Sequence, residues 1–133
     1  MKAVRLNEFG DVDVLKIEEV PEPNLRPHHV MIKVDSAGVN YADILRRGGN
    51  YPGPGLPSSM GLESAGTVTD VVSDVTSIIV GQHVMALGPG SQAEYVPPNR
   101  QRGFTYPNSL AAVEDRRLPF VFPPAYQPRT SRG

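Results

Sequence analysis

Short runs in which apolar and polar side chains alternate, separated by glycine or proline, make up most of residues 1–96. In one such run Val30, Ile32 and Val34 alternate with residues that include Lys33 and Asp35. A period of two places every second side chain on the same face, so each run predicts a β-strand with one buried face. The 13 glycines and 14 prolines argue against a helical bundle. The predicted strands are 4–7, 15–20, 30–34, 65–72, 83–87 and 92–96.

One helix is predicted after Asn40, whose side chain can cap a helix N-terminus. Ile44 and Leu45 contribute its apolar side, and Gly48-Gly49 ends it. A second short helical or turn segment is predicted to start near Met60. The fold class is therefore mainly β with one or two short helices, and strands spaced by such turns favour a partly open β-barrel.

The chain changes character after Val96. Residues 1–96 contain seven lysines and arginines against twelve aspartates and glutamates, a net charge of −5. Residues 97–133 contain six arginines, two acidic residues and half of the prolines, a net charge of +4. We interpret 1–96 as a folded domain and 97–133 as a disordered Pro/Arg-rich tail. Nucleic-acid binding by these arginines is disfavoured, because no aromatic stacking motif accompanies them.

The composition excludes several classes of protein. The absence of cysteine excludes disulfides, thiolate catalysis and cysteine-bound zinc. No run approaches the roughly 18 apolar residues of a membrane span, and residues 1–9 lack the apolar core of a signal peptide. We therefore expect a cytoplasmic protein that does not bind membranes. At 133 residues, the chain is too short for a nucleotide-binding domain plus a second domain of usual size.

Motifs for binding nucleotide phosphates are missing from the sequence, which contains neither Gly-x-Gly-x-x-Gly nor Gly-Lys-Ser/Thr. Gly88-Pro89-Gly90 followed by Ala93 fits a looser form of the first motif. However, Glu94-Tyr95-Val96 and two prolines follow, where a pyrophosphate needs the N-terminus of a helix. We predict a hairpin turn at Gly88-Pro89-Gly90 instead.

The three histidines do not indicate a metal site. His28 and His29 are adjacent, and neighbours on an extended chain point to opposite faces, so a surface turn is the favoured interpretation. His83 is predicted to be an ordinary strand residue. A Ser-His-Asp triad built from Ser36, His83 and Asp43 has no support from their spacing.

A series of short motifs lies between residues 38 and 96. In chain order, the motifs are Gly38-Val39-Asn40-Tyr41-Ala42-Asp43, Arg46-Arg47-Gly48, Tyr51-Pro52, Gly61-Leu62-Glu63-Ser64-Ala65-Gly66, Gly81-x-x-Val84 and Ala93-Glu94-Tyr95-Val96. The series resembles the N-terminal half of the zinc-independent quinone oxidoreductases, the zeta-crystallin relatives within the medium-chain dehydrogenase/reductase superfamily. It looks closest to the p53-inducible type. The resemblance covers residues 1–96 and does not extend past Val96.

The resemblance implies that residues 1–96 form a GroES-like substrate domain, a partly open β-barrel, and that the Rossmann domain is absent. In this family NADPH donates a hydride to a quinone or enone. Tyr51 is implied as the catalytic donor to the carbonyl oxygen, and Asn40, Asp43 and Tyr51 as residues that bind the cofactor. Each of these residues also has an alternative, purely structural role. Tyr51 would be an aromatic residue of a loop, Asn40 the N-cap of the helix, and Asp43 a carboxylate in the first turn of the helix.

Gly61, Glu63 and Gly66 are implied to be structural. The glycines would supply tight backbone positions, and Glu63 would pair with an arginine or with main-chain N–H groups. Arg46-Arg47 either attracts the phosphates of the cofactor or forms a solvated helix end, and the second interpretation is favoured.

The resemblance also bears on zinc. The zinc-dependent members of the superfamily carry a cysteine two residues before the helix aspartate and a histidine before the glutamate. Here Tyr41 and Leu62 occupy these positions, so no catalytic metal is expected. One departure from the family is Gln82, which stands where an aspartate is usual.

Two interpretations of function stay open. In the first, the chain is the substrate domain of an NADPH-dependent quinone oxidoreductase that is active, and is a homodimer, only in a full-length form. In the second, the chain is a truncated or frame-shifted product without catalytic activity, with a regulatory role or none. A third and weaker interpretation is that the tail binds nucleic acid.

Overall fold

A computed structural model describes residues 1–73, 75 and 78–98, together with the backbone of 103–105. The elements follow in the order β1 (Lys2–Leu6), a 3₁₀ turn (Val12–Val14), β2 (Leu15–Glu19), β3 (Val30–Ala37), α1 (Tyr41–Arg47), β4 (Ser58–Ser59), β5 (Glu63–Val71), β6 (His83–Leu87), β7 (Tyr95–Val96) and β8 (Gly103–Thr105).

The strands form two antiparallel sheets. One has the order β2-β1-β4, and the other has the order β7-β3-β5-β6-β8. The segment before β7 joins them, because the Val4 N–H donates to the Gln92 carbonyl at 2.9 Å and the Val34 N–H donates to the Glu94 carbonyl at 2.9 Å. The two sheets are not closed into a barrel within the described residues, so the predicted mainly β, partly open architecture is confirmed.

The core lies on one face of the larger sheet. Val30 and Ile32 of β3 are fully buried and Val34 is half-buried, as their alternation predicts. Removing side chains of this size from water is the main favourable contribution to folding, at roughly 1.5–3 kcal/mol each. The buried apolar side chains of this cluster are Val30, Ile32, Val68, Val75, Ile78, Val84, Ala86 and Val96.

The prediction of a buried face is wrong for β2. Ile17 is 75% exposed, although it alternates with polar neighbours in the same way as the residues of β3. The reason is topological: β2 is the outer strand of the smaller sheet, and nothing in the described part of the chain covers Ile17.

The helix is confirmed and its bounds agree with the prediction. Asn40 has an extended backbone (φ −110°, ψ 159°) and precedes α1, and Gly48 follows it. Gly49 then adopts φ +80°, a conformation that favours glycine. No second helix forms near Met60, where β4 is followed by a bend. The additional short helical turn lies at Val12–Val14 instead, and the sequence analysis did not predict it.

The segment Gly88-Pro89-Gly90 forms a turn but not the predicted hairpin. The strands on either side of it, β6 and β7, are not neighbours, because β5 and β8 already occupy both edges of β6. The turn packs instead on the start of β5: the Gly88 N–H donates to the Leu62 carbonyl at 2.8 Å, and the Gly90 N–H donates to the Gly61 carbonyl at 3.0 Å.

His28 lies in a turn with φ +66°, and His83 lies in β6, as predicted. Most of the predicted tail, 97–133, lies outside the described residues. Its exceptions are 97–98 and the backbone of β8, which pairs with β6 from Val84↔Thr105 to Ala86↔Gly103. None of the helices in the described part of the chain has the length and apolarity needed to cross a membrane.

Candidate functional site

Two of the predicted site residues, Asn40 and Asp43, cap the N-terminus of α1 through reciprocal hydrogen bonds. The Asn40 main-chain N–H donates to Asp43 Oδ2 at 2.8 Å, and the Asp43 main-chain N–H donates to the Asn40 carbonyl at 2.9 Å. Asp43 is only 7% exposed. Satisfying the free N–H groups of a helix start in this way stabilises the helix and fixes the direction of its first turn. The cap therefore holds Asn40 and Asp43 side by side.

The Asn40 side chain is held by a third predicted residue, Glu63 at the start of β5. Asn40 Nδ2 donates to Glu63 Oε1 at 3.0 Å, and Glu63 is buried. A partner of Glu63 is thus an amide side chain, which differs from the arginine or main-chain N–H groups expected for it. The Glu63 carboxylate leaves no room for a side chain at Gly38. A Cβ atom there would lie much closer than 3.0 Å to Glu63 Oε1, a distance that real Cβ atoms do not adopt. Gly38 is thus a structural residue that sequence reasoning missed.

A cleft of about 250 Å³ opens beside this cap, between α1, the loop that follows it and the bend before β5. Three predicted residues line it, Asp43, Tyr51 and Gly61, whereas Asn40, Glu63 and Gly66 are not among its lining residues. Tyr51 is 36% exposed. The cleft is lined by Ala42, Asp43, Arg46, Tyr51, Pro52, Gly53, Pro54, Ser59, Met60, Gly61, Leu62 and Pro89.

The wall formed by Met60 and Gly61 is held by main-chain hydrogen bonds on both sides. The Met60 N–H donates to the Val4 carbonyl at 2.9 Å, and the Gln92 N–H donates to the Met60 carbonyl at 2.9 Å. Gly61 has φ +95°, and a Cβ atom there would lie 2.6 Å from the Gln92 nitrogen. A side chain at this position would be strained and would meet the Gln92 backbone, so glycine is the residue that fits it.

Arg46 forms the charged part of the cleft, and its guanidinium group is engaged within the chain. It lies 5.4 Å from the centre of the Phe9 ring, donates to the Pro54 carbonyl and donates to Ser58 Oγ at 3.3 Å. Its neighbour Arg47 pairs with Asp11 at 3.3 Å. The favoured expectation, that Arg46 and Arg47 are solvated at the end of the helix, is therefore wrong. Both connect the end of α1 to the loops around it.

We expect Arg46→Ala to lower the free energy of unfolding by about 1–2 kcal/mol, because the ring contact and the hydrogen bonds to the loop are lost together. Arg46→Lys should recover less than half of this, since an ammonium group lacks the fork geometry. Urea denaturation followed by circular dichroism measures the effect. Arg26→Ala, at an exposed arginine, is the matched control, and an equal loss in both variants would contradict the role given to Arg46.

No group of three or more histidine, cysteine, aspartate or glutamate side chains within the described residues could hold a metal ion. Tyr41 is 71% exposed at the start of α1, and Leu62 lines the cleft. The polar side chains at the cleft are the phenol of Tyr51, the guanidinium group of Arg46 and the hydroxyl of Ser59, which can donate hydrogen bonds, and the carboxylate of Asp43, which accepts them. Such a set can orient a polar ligand and donate hydrogen bonds to an oxygen.

The chain is similar to several known proteins. Residues 26–107 match the family described as alcohol dehydrogenase GroES-like domain. The chain is 38% identical over 99 residues to a quinone oxidoreductase of Lama guanicoe, covering 71% of this chain and 30% of that protein. It is 34% identical over 140 aligned positions to a 2-methylene-furan-3-one reductase of Solanum lycopersicum, covering 96% of this chain and 36% of that protein.

Among solved structures, the quinone oxidoreductase of Thermus thermophilus, determined alone and with NADPH, superposes with a TM-score of 0.81 at 28% identity. The match covers 98% of this chain and 41% of that one. The chain thus spans well under half the length of each of these relatives. The family match continues past Val96 to residue 107, so the expectation that the resemblance ends at Val96 is wrong. The expected GroES-like domain is confirmed: the chain belongs to the alcohol dehydrogenase GroES-like domain family, and proteins named quinone oxidoreductase are among its relatives.

Proposed function

We propose that this chain supplies the substrate-facing wall of an oxidoreductase that reduces a quinone or enone with NADPH. The observation that carries the proposal is the cleft of about 250 Å³. Its walls are mostly carbon, from Met60, Leu62 and three prolines, and Tyr51, which also lines it, carries a phenol that can donate a hydrogen bond. A flat conjugated carbonyl compound matches such a site, because its ring needs apolar walls and its oxygen needs a hydrogen-bond donor.

The size of the cleft limits how a cofactor could bind. Small-molecule sites usually enclose about 300–1,000 Å³, so this one can hold a small ring system but not a whole dinucleotide. In this proposal only the nicotinamide end reaches the cleft, because the phosphates need a glycine-rich turn before a helix, a motif that is missing from the 133 residues. When bound, the cofactor supplies the hydride, and the chain around the cleft supplies position and charge stabilisation.

Tyr51 is the proposed catalytic residue. A carbonyl oxygen gains negative charge as hydride reaches the conjugated system, and a phenolic O–H can donate to that oxygen. The Tyr51 ring also offers a face on which a flat substrate can stack. Pro52 follows Tyr51, and the Arg46 hydrogen bond to the Pro54 carbonyl restrains the same loop. The donor is therefore carried by a short loop whose far side is held to α1.

Asn40 and Asp43 are the proposed contacts to the nicotinamide end. Glu63 holds one N–H of the Asn40 amide, which sets the rotation of that amide and leaves its second N–H for a ligand. Asp43 holds the Asn40 main chain through the reciprocal cap. In this proposal Glu63 positions the amide of Asn40, which lies next to the cleft residue Asp43 and binds the carboxamide of the cofactor, while Asp43 contacts the nicotinamide from within the cleft.

We further propose that the chemistry is independent of zinc, because Tyr41 and Leu62 cannot replace the cysteine and histidine of the zinc-dependent members. We place the protein in the cytoplasm, in keeping with a cysteine-free sequence. The composition shift after Val96 favours one alternative, a truncated or frame-shifted product without catalysis. Both functions predict no turnover by the chain alone, but only the first predicts that the cleft binds a quinone.

Isothermal titration of the purified chain tests the proposal. We expect 1,4-naphthoquinone to bind with a dissociation constant in the range of about 10 µM to 1 mM, and NADPH to bind at least about tenfold more weakly because its phosphates find no site. Naphthalene, which keeps the flat ring system but has no carbonyl oxygen to accept a hydrogen bond, serves as the control and should bind more weakly. Failure of the quinone to bind would contradict the substrate-wall function. Tight binding of NADPH would contradict the need for a second domain.

A further inference from the structure

The outer edge of β2 has no strand partner within the described residues, because β2 is the last strand of the sheet β2-β1-β4. At the middle of that edge, Ile17 is 75% exposed. A free edge presents main-chain N–H and C=O groups that can pair with another strand. An apolar, β-branched side chain in the middle of such an edge suits a strand that is paired on both sides.

The phase of the main-chain hydrogen bonds shows which residues point outward. Met1 and Val20 exchange both of their main-chain hydrogen bonds, at 2.8 Å each. Bonding groups in an antiparallel pair alternate between the two edges of a strand. The main-chain N–H and C=O groups of Val20 face β1, so those of Glu18 and Lys16 face β1 as well. The N–H and C=O groups of Ile17 and Glu19 then face away from β1. The Leu15 N–H is already donated to the Val12 carbonyl, which leaves the Leu15 carbonyl available.

The sequence of β2 complements itself when a second copy runs antiparallel and Ile17 lies opposite the partner's Ile17. In this register Lys16 lies opposite the partner's Glu18, and Glu18 lies opposite the partner's Lys16. Opposite charges at such cross-strand positions are favourable, and apolar pairs between them add to the stability. A register shifted by two residues would bring Glu18 opposite the partner's Glu18, which is unfavourable.

We propose that two copies of this chain associate through their β2 strands, antiparallel and centred on Ile17, so that the two small sheets become one continuous sheet. The Ile17 residues exchange both main-chain hydrogen bonds, and each Glu19 N–H donates to the Leu15 carbonyl of the other copy. The pairing obeys a two-fold axis and uses the same residues of both copies, as a closed dimer requires. It does not depend on the function proposed for the cleft.

The contact is short, because β2 has five residues. Interfaces well below about 1,200 Å² form weak, reversible complexes. The dimer should therefore be sparsely populated at ~10 µM and be the main species near ~1 mM.

Sedimentation velocity of the full chain over this concentration range tests the association. Ile17→Lys places two ammonium groups opposite each other and should weaken dimerisation at least about tenfold. The matched control is Ile79→Lys, because Ile79 is 68% exposed and lies outside every strand; it should dimerise like the wild type. A monomer at all concentrations, or equal dimerisation by both variants, would overturn the proposal.

Crosslinking tests the register, since the chain has no cysteine of its own. Residues of a hydrogen-bonded antiparallel pair have Cα atoms about 5.5 Å apart, within the roughly 4.4–6.8 Å that a disulfide spans. In a glutathione redox buffer, Ile17→Cys should form a covalent dimer at least about tenfold faster than Ile79→Cys, and ~1 M urea should remove the difference. Equal rates, or faster crosslinking of the Ile79 variant, would overturn the proposed pairing.

Discussion

Replacing Gly66 by alanine should destabilise the domain by about 3 kcal/mol or more, enough to unfold much of a small protein. Gly66 is buried in the middle of β5, opposite Val34, where β3 carries an irregularity between Val34 and Ser36. The β3 backbone lies close to Gly66: a Cβ atom on Gly66 would overlap the Lys33 carbonyl oxygen and come within 2.9 Å of Ile32 Cγ2. A main-chain carbonyl in a paired strand cannot move without breaking its ladder.

Gly55→Ala is the matched control for this substitution. Gly55 lies in the loop before β4, and no atom lies within 4 Å of the place where its Cβ would stand. Its replacement should change the free energy of unfolding by no more than about 0.5 kcal/mol. Thermal and urea unfolding followed by circular dichroism compare the two variants. Equal stability of both would show that β3 and β5 do not approach each other as described.

Tyr51→Ala should weaken binding of 1,4-naphthoquinone at least about tenfold, because stacking on the ring and the phenolic hydrogen bond are lost together. Tyr51→Phe keeps the ring and should weaken binding by about two- to tenfold. If the chain is joined to a domain that binds NADPH, Tyr51→Phe should lower kcat by about 100-fold, as expected for loss of a donor to the charged oxygen.

Tyr41→Ala controls for the removal of any surface tyrosine. Tyr41 is 71% exposed and is not among the residues that line the cleft. Titration calorimetry on the three variants separates the two positions. An unchanged affinity in Tyr51→Ala, or an equal loss in Tyr41→Ala, would contradict the assignment of the cleft as the quinone site.

The main elements of the fold could be predicted from the sequence because their local pattern agrees with their packing. The alternation in β3 corresponds to a buried face on the core, and Asn40 and Gly48 mark the two ends of α1. The same reasoning failed for Ile17, because alternation does not reveal whether anything covers the apolar face of an edge strand. It failed for the turn at Gly88-Pro89-Gly90, because the strands that occupy both edges of β6 come from elsewhere in the chain.

The cleft could be predicted only in part. Tyr51, Asp43 and Gly61 were identified through the family resemblance, and all three line the cleft. Arg46 lies three residues after Asp43, a helical spacing that could have placed it on the same side of α1. Gly38 had no signal of its own, because the carboxylate that excludes a side chain there belongs to Glu63, which is distant in sequence. The domain boundary at Val96 stays a prediction.

A two-dimensional ¹H–¹⁵N NMR titration of the chain with 1,4-naphthoquinone tests most directly that the cleft is the substrate wall. We expect the amide signals of Tyr51, Gly53 and Gly61 to shift in a saturable manner, while those of Glu19 in β2 and Asp70 in β5, which do not line the cleft, stay in place. Saturable shifts confined to residues outside the cleft, or no shifts at millimolar quinone, would contradict the proposed function.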